Sequence, residues 1–411
     1  MLQSINLVTN PLYFRRVQRL TGGKRVRGAA IGALLAAGVM TGCSSGTLSE
    51  MAPPSGEATQ LAQNGRTLPV DTLVTRYMQS KQVSGMVVAV IRRNGPAQFY
   101  CYGITDDKYR HPITPDTLFA LGSLSKGVTA EVITGLVNQG KLHWHDTLGT
   151  LLPPTVALSD DARQITLLQL VTHTSGLPRQ PMNMLSLEHL VAYLRDGENF
   201  YHDLDDDGVL DYLSTFRAPL TPEPEYSNIG YAILGYILRQ QTGEPIEALA
   251  SRTLFTPLGM TNSSFQPQTL RAYPLRALGH AGDQPKLIPR GNLTPDWHFD
   301  GNMVGAASLY SSARDLITYA RAHIAPTPDA TLNQIFRDVS VDYFPRSKEA
   351  ANIAWVTDSY GSQHITYQVG YIGGYSSYIG FDKTGQNAVV VLQNSFNWSN
   401  YIGHTLLRQL K

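Results

Sequence analysis

The sequence predicts an α+β fold: an antiparallel sheet flanked by helices, with an all-helical lobe added to it. Two observations predict it. The periodic segments run helix, strands, long helical insert, helix, strands, and each strand region carries its own hairpin signal. In order, Val70 to Gln82 repeats its apolar residues with helical period. Gly85 to Arg92 and Ala97 to Gly103 are β-rich runs around Arg93-Asn94-Gly95-Pro96, which reads as a turn. Leu124 to Gln139 is an apolar helix, and the chain from about 135 to 295 reads as helical with long loops. A helix at Ala313 to Ala325 leads into short strands, among them Gln368 to Phe381, a strand, a Gly-rich turn and a strand. No internal repeat interrupts this order.

The first residues stand outside that fold. Basic residues cluster between Arg15 and Arg27, and an apolar run follows from Ala29 to Met40, too short to span a bilayer. Small residues precede Cys43, as in a bacterial lipoprotein cleavage box. The expected organisation is a signal peptide over 1–42, a lipidated Cys43 with a flexible tether to residue 68, and one catalytic domain over 69–411. That places the protein in the bacterial cell envelope, exported and held to a membrane by its lipid. Cys101 is then the only other thiol, expected in a strand core, and no internal disulfide forms. Of the 411 residues, 33 are basic and 32 acidic, a net charge of +1. This balance gives no electrostatic basis for binding nucleic acid.

The chemistry begins at Ser123-Leu124-Ser125-Lys126, at the head of the apolar helix. Residues three apart share a helix face, so Ser123 and Lys126 can touch. A serine hydroxyl is a poor nucleophile without a base beside it, and a desolvated lysine can serve as one. Tyr226-Ser227-Asn228 follows, a tyrosine for proton transfer and an amide for holding a carbonyl. The third element is Gln368-Val369-Gly370-Tyr371, followed by Gly373-Gly374. Read without the others, each has an ordinary structural explanation: a helix start, a capped helix after a Pro-rich loop, and a hairpin.

Together, and in this order, the three resemble the class C β-lactamase and penicillin-binding-protein family of serine hydrolases, which includes D-Ala-D-Ala peptidases, D-aminopeptidases and carboxylesterases. His173 to Pro178, Phe255 to Met260 and Gly305 to Leu316 extend the resemblance, which spans about residue 70 to 411. It implies a two-lobed β-lactamase/transpeptidase-like architecture with the site between the lobes. It also implies acyl-enzyme chemistry with Ser123 as nucleophile, Lys126 and Tyr226 sharing the base and acid roles, and Asn228 positioning substrate. Gln180 matches a position that contacts the substrate's amide side chain. Gln368, Gly370 and Tyr371 match the strand beside the substrate, with the N–H groups of Ser123 and Tyr371 as oxyanion donors. No organic cofactor is implied, and the expected partner is a small-molecule or peptide substrate.

Two departures shape the expected activity. The strand position that usually holds Lys or His and then Thr, for a substrate carboxylate, holds Gln368 and Val369. Esters, amides or peptides without that carboxylate are therefore favoured over the alternatives, a true β-lactamase or D-Ala-D-Ala carboxypeptidase, or a non-catalytic envelope binding protein. Lys383-Thr384-Gly385 repeats the family motif literally but falls where a turn between strands belongs. Separately, Asp203, Asp205, Asp207 and Asp211 with Gly208 fit an EF-hand-like loop, a candidate structural calcium site, although Ser214 stands where the bidentate Glu belongs.

Overall fold

The computed structural model describes residues 68–180, 184–201, 206–220, 223–345, 349–398 and 402–410. Its principal helices are α1 (Val70–Lys81), α2 (Ser125–Asn138), α3 (Met184–Asp196), α4 (Asn228–Thr242), α5 (Ala313–Ile324), α6 (Ala330–Asp338) and α7 (Ile402–Gln409). The strands are β1 (Gly85–Ile91), β2 (Gln98–Gly103), β3 (Leu118–Ala120), β4 (Tyr310–Ser312), β5 (Glu349–Ala351), β6 (Val356–Tyr360), β7 (Gln363–Ile372), β8 (Tyr375–Asp382) and β9 (Asn387–Gln393). Seven form one sheet in the order β2-β1-β9-β8-β7-β6-β5, antiparallel throughout.

Strands β1, β8 and β9 are buried along their whole length, because helices cover both faces of the sheet. On one face α1 and α7 close a core of Val74, Met86, Val88, Tyr378, Val391 and Leu407. On the other, α5 crosses β1, β8 and β9 and stacks His323 on Phe381. The turn after β1 forms as its residues require: Arg93 and Asn94 take left-handed backbone and Gly95 N–H closes onto the Arg92 carbonyl at 2.8 Å. Strand β6 ends opposite Tyr367, so β7 from Gln368 onward has β8 on one side only.

Lys383-Thr384-Gly385 forms the turn from β8 to β9, where Gly385 N–H donates to Asp382 Oδ1 at 3.0 Å and Lys383 is exposed. Three points differ from expectation. Cys101 is exposed, because β2 is the sheet's edge and carries no second layer there. The pairing of β3 with β4 was not legible in either short run. Asp206–Asp211 is helical, whereas a calcium loop needs a sharp turn at its sixth position, Gly208. Ser214, at the twelfth position, turns back to donate to the Asp211 carbonyl at 2.7 Å. Asp203, Asp205 and the side chain of Asp207 lie outside what the structure describes. Among the described residues no cluster of His, Cys, Asp and Glu is arranged to hold a metal.

Candidate active site

The site starts from a glycine. Gly122 has φ +54°, and this left-handed residue turns the chain out of β3 into a short 3-10 turn, Gly122–Leu124, that runs on into α2. Ser125 Oγ donates to the Gly122 carbonyl at 2.6 Å and accepts Leu309 N–H at 3.0 Å. Leu121 N–H returns to the Leu309 carbonyl at 2.9 Å, so the turn is fastened to the chain entering β4. Ser123 is half-buried at its apex.

Lys126 lies one turn further and is 2 % exposed. Its Nζ donates to Ser123 Oγ at 3.1 Å and to the Ala306 carbonyl at 3.0 Å. Two short-range acceptors fix a long, flexible side chain in the burial that the i, i+3 spacing anticipated. Aromatic faces complete its surroundings: Nζ is 5.0 Å from the centre of the Tyr226 ring and 5.7 Å from that of Tyr231.

Tyr226 reaches the lysine because the loop before α4 is held at several points. His173 is the main one. Its carbonyl accepts Glu225 N–H at 2.8 Å, and its Nδ1 accepts Ser227 N–H at 3.1 Å. Its ring lies 4.5 Å from the Tyr226 ring and 5.2 Å from Tyr231. Burial, then the charges of Lys126 and Arg179, hold this imidazole well below its ordinary pKa. His173 is therefore neutral, with its proton on Nε2, as its acceptor role at Nδ1 requires. Ser227 is the N-cap of α4, its Oγ accepting Gly230 N–H at 3.0 Å and donating to the Pro178 carbonyl at 2.8 Å. Asn228 N–H donates to the Arg179 carbonyl at 3.0 Å, and the Arg179 guanidinium lies 4.8 Å from the Tyr226 ring centre, a second cation on that ring.

The side chains of Asn228 and Gln180 meet through a residue that the sequence reading passed over. Asn228 Nδ2 donates to the Tyr201 hydroxyl at 2.8 Å, and that hydroxyl donates to Gln180 Oε1 at 3.0 Å. Tyr201 belongs to an aromatic group with Trp297 and Phe299, ring centres 6.3 and 6.4 Å away. Trp297 Nε1–H donates to the Gly197 carbonyl at 2.9 Å, and Asn199 Nδ2 to the His298 carbonyl at 2.8 Å. These bonds tie the segment after α3 to the segment around Trp297. Trp297 and Phe299 also line a cavity of about 360 Å³ with Phe265, Ile246 and Gly305.

The sheet supplies the remaining wall. Gly370 is the point of closest approach: a Cβ there would lie 1.9 Å from the Leu121 carbonyl oxygen. Ser377 Oγ, across the β7–β8 pair, donates to the same oxygen at 2.9 Å. A Cβ on Gly122 would in turn lie 3.0 Å from the Tyr371 carbonyl, so Ser123 and Tyr371 belong to abutting backbone segments. Gln368 is buried against the first turn of α2, where a Cβ on Gly127 would meet its amide at 2.6 Å. Its Nε2 donates to the Ala354 carbonyl at 3.0 Å, and its Oε1 has no hydrogen-bond partner among the described residues. Val369 faces the opposite way, into the core beneath α1 and α7.

Thus Ser123, Lys126 and Tyr226 are brought together, Asn228 and Gln180 are joined through Tyr201, and Gln368, Gly370 and Tyr371 border the Ser123 turn. Cys43 lies outside the described residues. Beyond the sequence reading, His173, Tyr201, Trp297 and the Ala306 carbonyl complete the site.

Comparison with known proteins places the fold and the family. The sequence profile of the β-lactamase family matches residues 70–410. A β-lactamase of Pseudomonas fluorescens is 27% identical over 292 residues, 70% of this chain and 73% of the relative. An unguisins hydrolase of Aspergillus campestris is 27% identical over 353 residues, covering 82% of this chain and 63% of the relative. The solved structure of a β-lactamase/D-alanine carboxypeptidase from Pseudomonas syringae superposes with a TM-score of 0.66 at 22% identity, over 86% of this chain and 99% of that one. The chain belongs to the β-lactamase family of serine hydrolases.

Proposed function

We propose that the protein hydrolyses ester, amide or peptide substrates through an acyl-enzyme on Ser123. The observation that carries this is the 3.1 Å hydrogen bond from Lys126 Nζ to Ser123 Oγ in a buried, doubly held geometry. Ser123 Oγ attacks the carbonyl, its proton passing to the Lys126–Tyr226 pair, which later returns a proton to the leaving group. The N–H groups of Ser123 and Tyr371 receive the oxyanion, since their segments abut. Asn228 and Gln180 border the acyl side, bridged by the Tyr201 hydroxyl. No cofactor takes part.

Activity on carboxylate-bearing penicillins and D-Ala-D-Ala peptides is the second reading, supported by what the relatives are named for. Against it stand Gln368, an uncharged amide already bonded to Ala354, and Val369, turned into the core. A lost charge-assisted hydrogen bond costs about 1.5–3 kcal/mol. The test is mass spectrometry of the intact protein after exposure to nitrophenyl butyrate, a penicillin and a D-Ala-D-Ala peptide. An ester-derived adduct on Ser123, absent in Ser123→Ala, is expected. A stable penicillin turnover faster than ester turnover favours the second reading, and no adduct with any compound leaves only a binding protein. The envelope location rests on Cys43: wild type partitioning with membranes and Cys43→Ala remaining soluble is the expected result, and equal partitioning removes the anchor.

A further inference from the structure

Two primary amides stand on the acyl side of this site, and one hydroxyl occupies both. Tyr201 accepts from Asn228 Nδ2 at 2.8 Å and donates to Gln180 Oε1 at 3.0 Å. A donor and an acceptor held at that spacing are what the –CO–NH– of an acylamino group would seek: its carbonyl would take Asn228 Nδ2 and its N–H would give to Gln180 Oε1. The tyrosine hydroxyl already presents this pairing from within the protein, with its single proton committed to Gln180.

The tyrosine is also firmly placed. Phe200 meets its ring edge-on at 5.2 Å, and Trp297 and Phe299 flank it. Tyr201 N–H donates to Asn199 Oδ1 at 2.9 Å, and Asn199 is itself bonded to the His298 carbonyl. Trp297 links this group to the sheet wall, since a Cβ on Gly373 would lie 3.5 Å from its ring. The wall from the Gly373 turn to the amide pair is therefore aromatic, with Tyr201 and Phe299 half-exposed. Displacing the hydroxyl to admit an acylamino group would break two hydrogen bonds and disturb this packing. Laying a flat apolar group against the rings breaks none.

We propose that Tyr201 is a specificity-determining residue whose hydroxyl fills the amide-binding positions of Asn228 and Gln180. With Trp297 and Phe299 it directs the enzyme to esters or amides of aryl- and alkyl-carboxylic acids in preference to acylamino acids. This rests on the hydrolase reading above and names the acyl class that the site takes.

Two esters with one leaving group test it: nitrophenyl 3-phenylpropanoate and the nitrophenyl ester of N-acetylglycine. Their kcat/KM ratio is measured for wild type and Tyr201→Phe, so that intrinsic reactivity cancels between the enzymes. Wild type favours the phenylpropanoate. Tyr201→Phe keeps the ring and frees both amides, and the ratio moves at least tenfold toward the acylamino ester, mainly through its KM. Adding Gln180→Met to Tyr201→Phe removes the freed acceptor and reverses the gain. An unchanged ratio in an enzyme that still turns over esters at Ser123 overturns this inference alone. A Tyr201→Phe protein too unstable to assay leaves Gln180→Met by itself as the measurement: it has no acceptor to offer an acylamino group, and a selective loss of that ester there shows the amides already in use by substrate, which overturns the inference. An unchanged ratio in Gln180→Met supports it. Absence of Ser123-dependent turnover of both esters overturns the hydrolase reading and this inference with it.

Discussion

On its helical side the site sets Lys126 and Arg179 against the Tyr226 ring; on its sheet side it sets a buried amide, Gln368, beside an aliphatic, Val369, that faces away. One wall contributes charge and proton-handling groups, and the other contributes backbone dipoles and a close-fitting surface. In the proposed reaction, negative charge arising during acyl transfer meets Lys126 and Arg179, the cations that the described residues set at this site's helical side. A substrate anion thus gains little from the strand, where the side chains of Gln368 and Val369 carry no charge. On the proposed chemistry, reaction and selection are separable: Ser123 and Lys126 meet without any side chain of the strand between them.

The largest effect comes from giving the sheet wall a charge. Gln368→Lys with Val369→Thr is expected to move the kcat/KM ratio of benzylpenicillin to nitrophenyl butyrate upward by roughly ten- to a hundred-fold, the equivalent of about 1.5–3 kcal/mol. The site suits the change, because a lysine retains a donor for the Ala354 carbonyl that Gln368 Nε2 now engages at 3.0 Å. A ratio that stays within twofold would mean that the two walls do not divide the work in this way.

A smaller effect comes from charging the helical wall with acid. Burial lowers the pKa of His173 well below 6.5, and lowers that of His323, behind the sheet, as well. The unfolded chain binds a proton at each near 6.5 while the folded chain does not, so stability is full above that value and declines as pH falls below it. The slope is up to about 1.4 kcal/mol per pH unit for each histidine. Denaturant melts of wild type from pH 7.5 to 5 should show the decline. His173→Asn, which keeps an acceptor for Ser227 N–H, should show about one proton's less slope. Parallel curves for the two proteins would count against a neutral His173.

The smallest effect belongs to Lys383→Ala. This lysine sits in the literal Lys-Thr-Gly but on an exposed turn. Its removal should change neither ester turnover nor stability by more than about 0.5 kcal/mol. Loss of activity there, with no response to the double substitution, would place the substrate strand at β8's end instead of in β7.

What could be read from the sequence was the chemistry written locally. Ser123 and Lys126 are one helical turn apart, and the hairpin of β7 and β8 announces itself by Gly373-Gly374. The Lys126 bond to Ala306 spans 180 positions and that of Tyr201 to Asn228 spans 27, and no periodicity connects such residues. His173 belongs to the legible His173-to-Pro178 segment, yet its work is done at Ser227, 54 positions away, and against the tilted ring of Tyr226. Cys101 was misplaced because alternation cannot tell an edge strand from a central one. The Asp-rich segment matched a loop by its oxygen spacing, while the same residues from Asp206 to Asp211 took up helix.

Gly370 bears on how such an enzyme changes over generations. With the Leu121 carbonyl 1.9 Å from where a Cβ would sit, every other amino acid at this position pushes the Ser123 turn off the sheet. Its neighbours are under no such constraint: Gln368 needs only a donor for Ala354, and Val369 only bulk for the core. Within three consecutive residues, therefore, one is closed to drift and two are open to it. A lineage can exchange its preferred substrates by substitution at 368, and adjust core packing at 369, while residue 370 stays glycine.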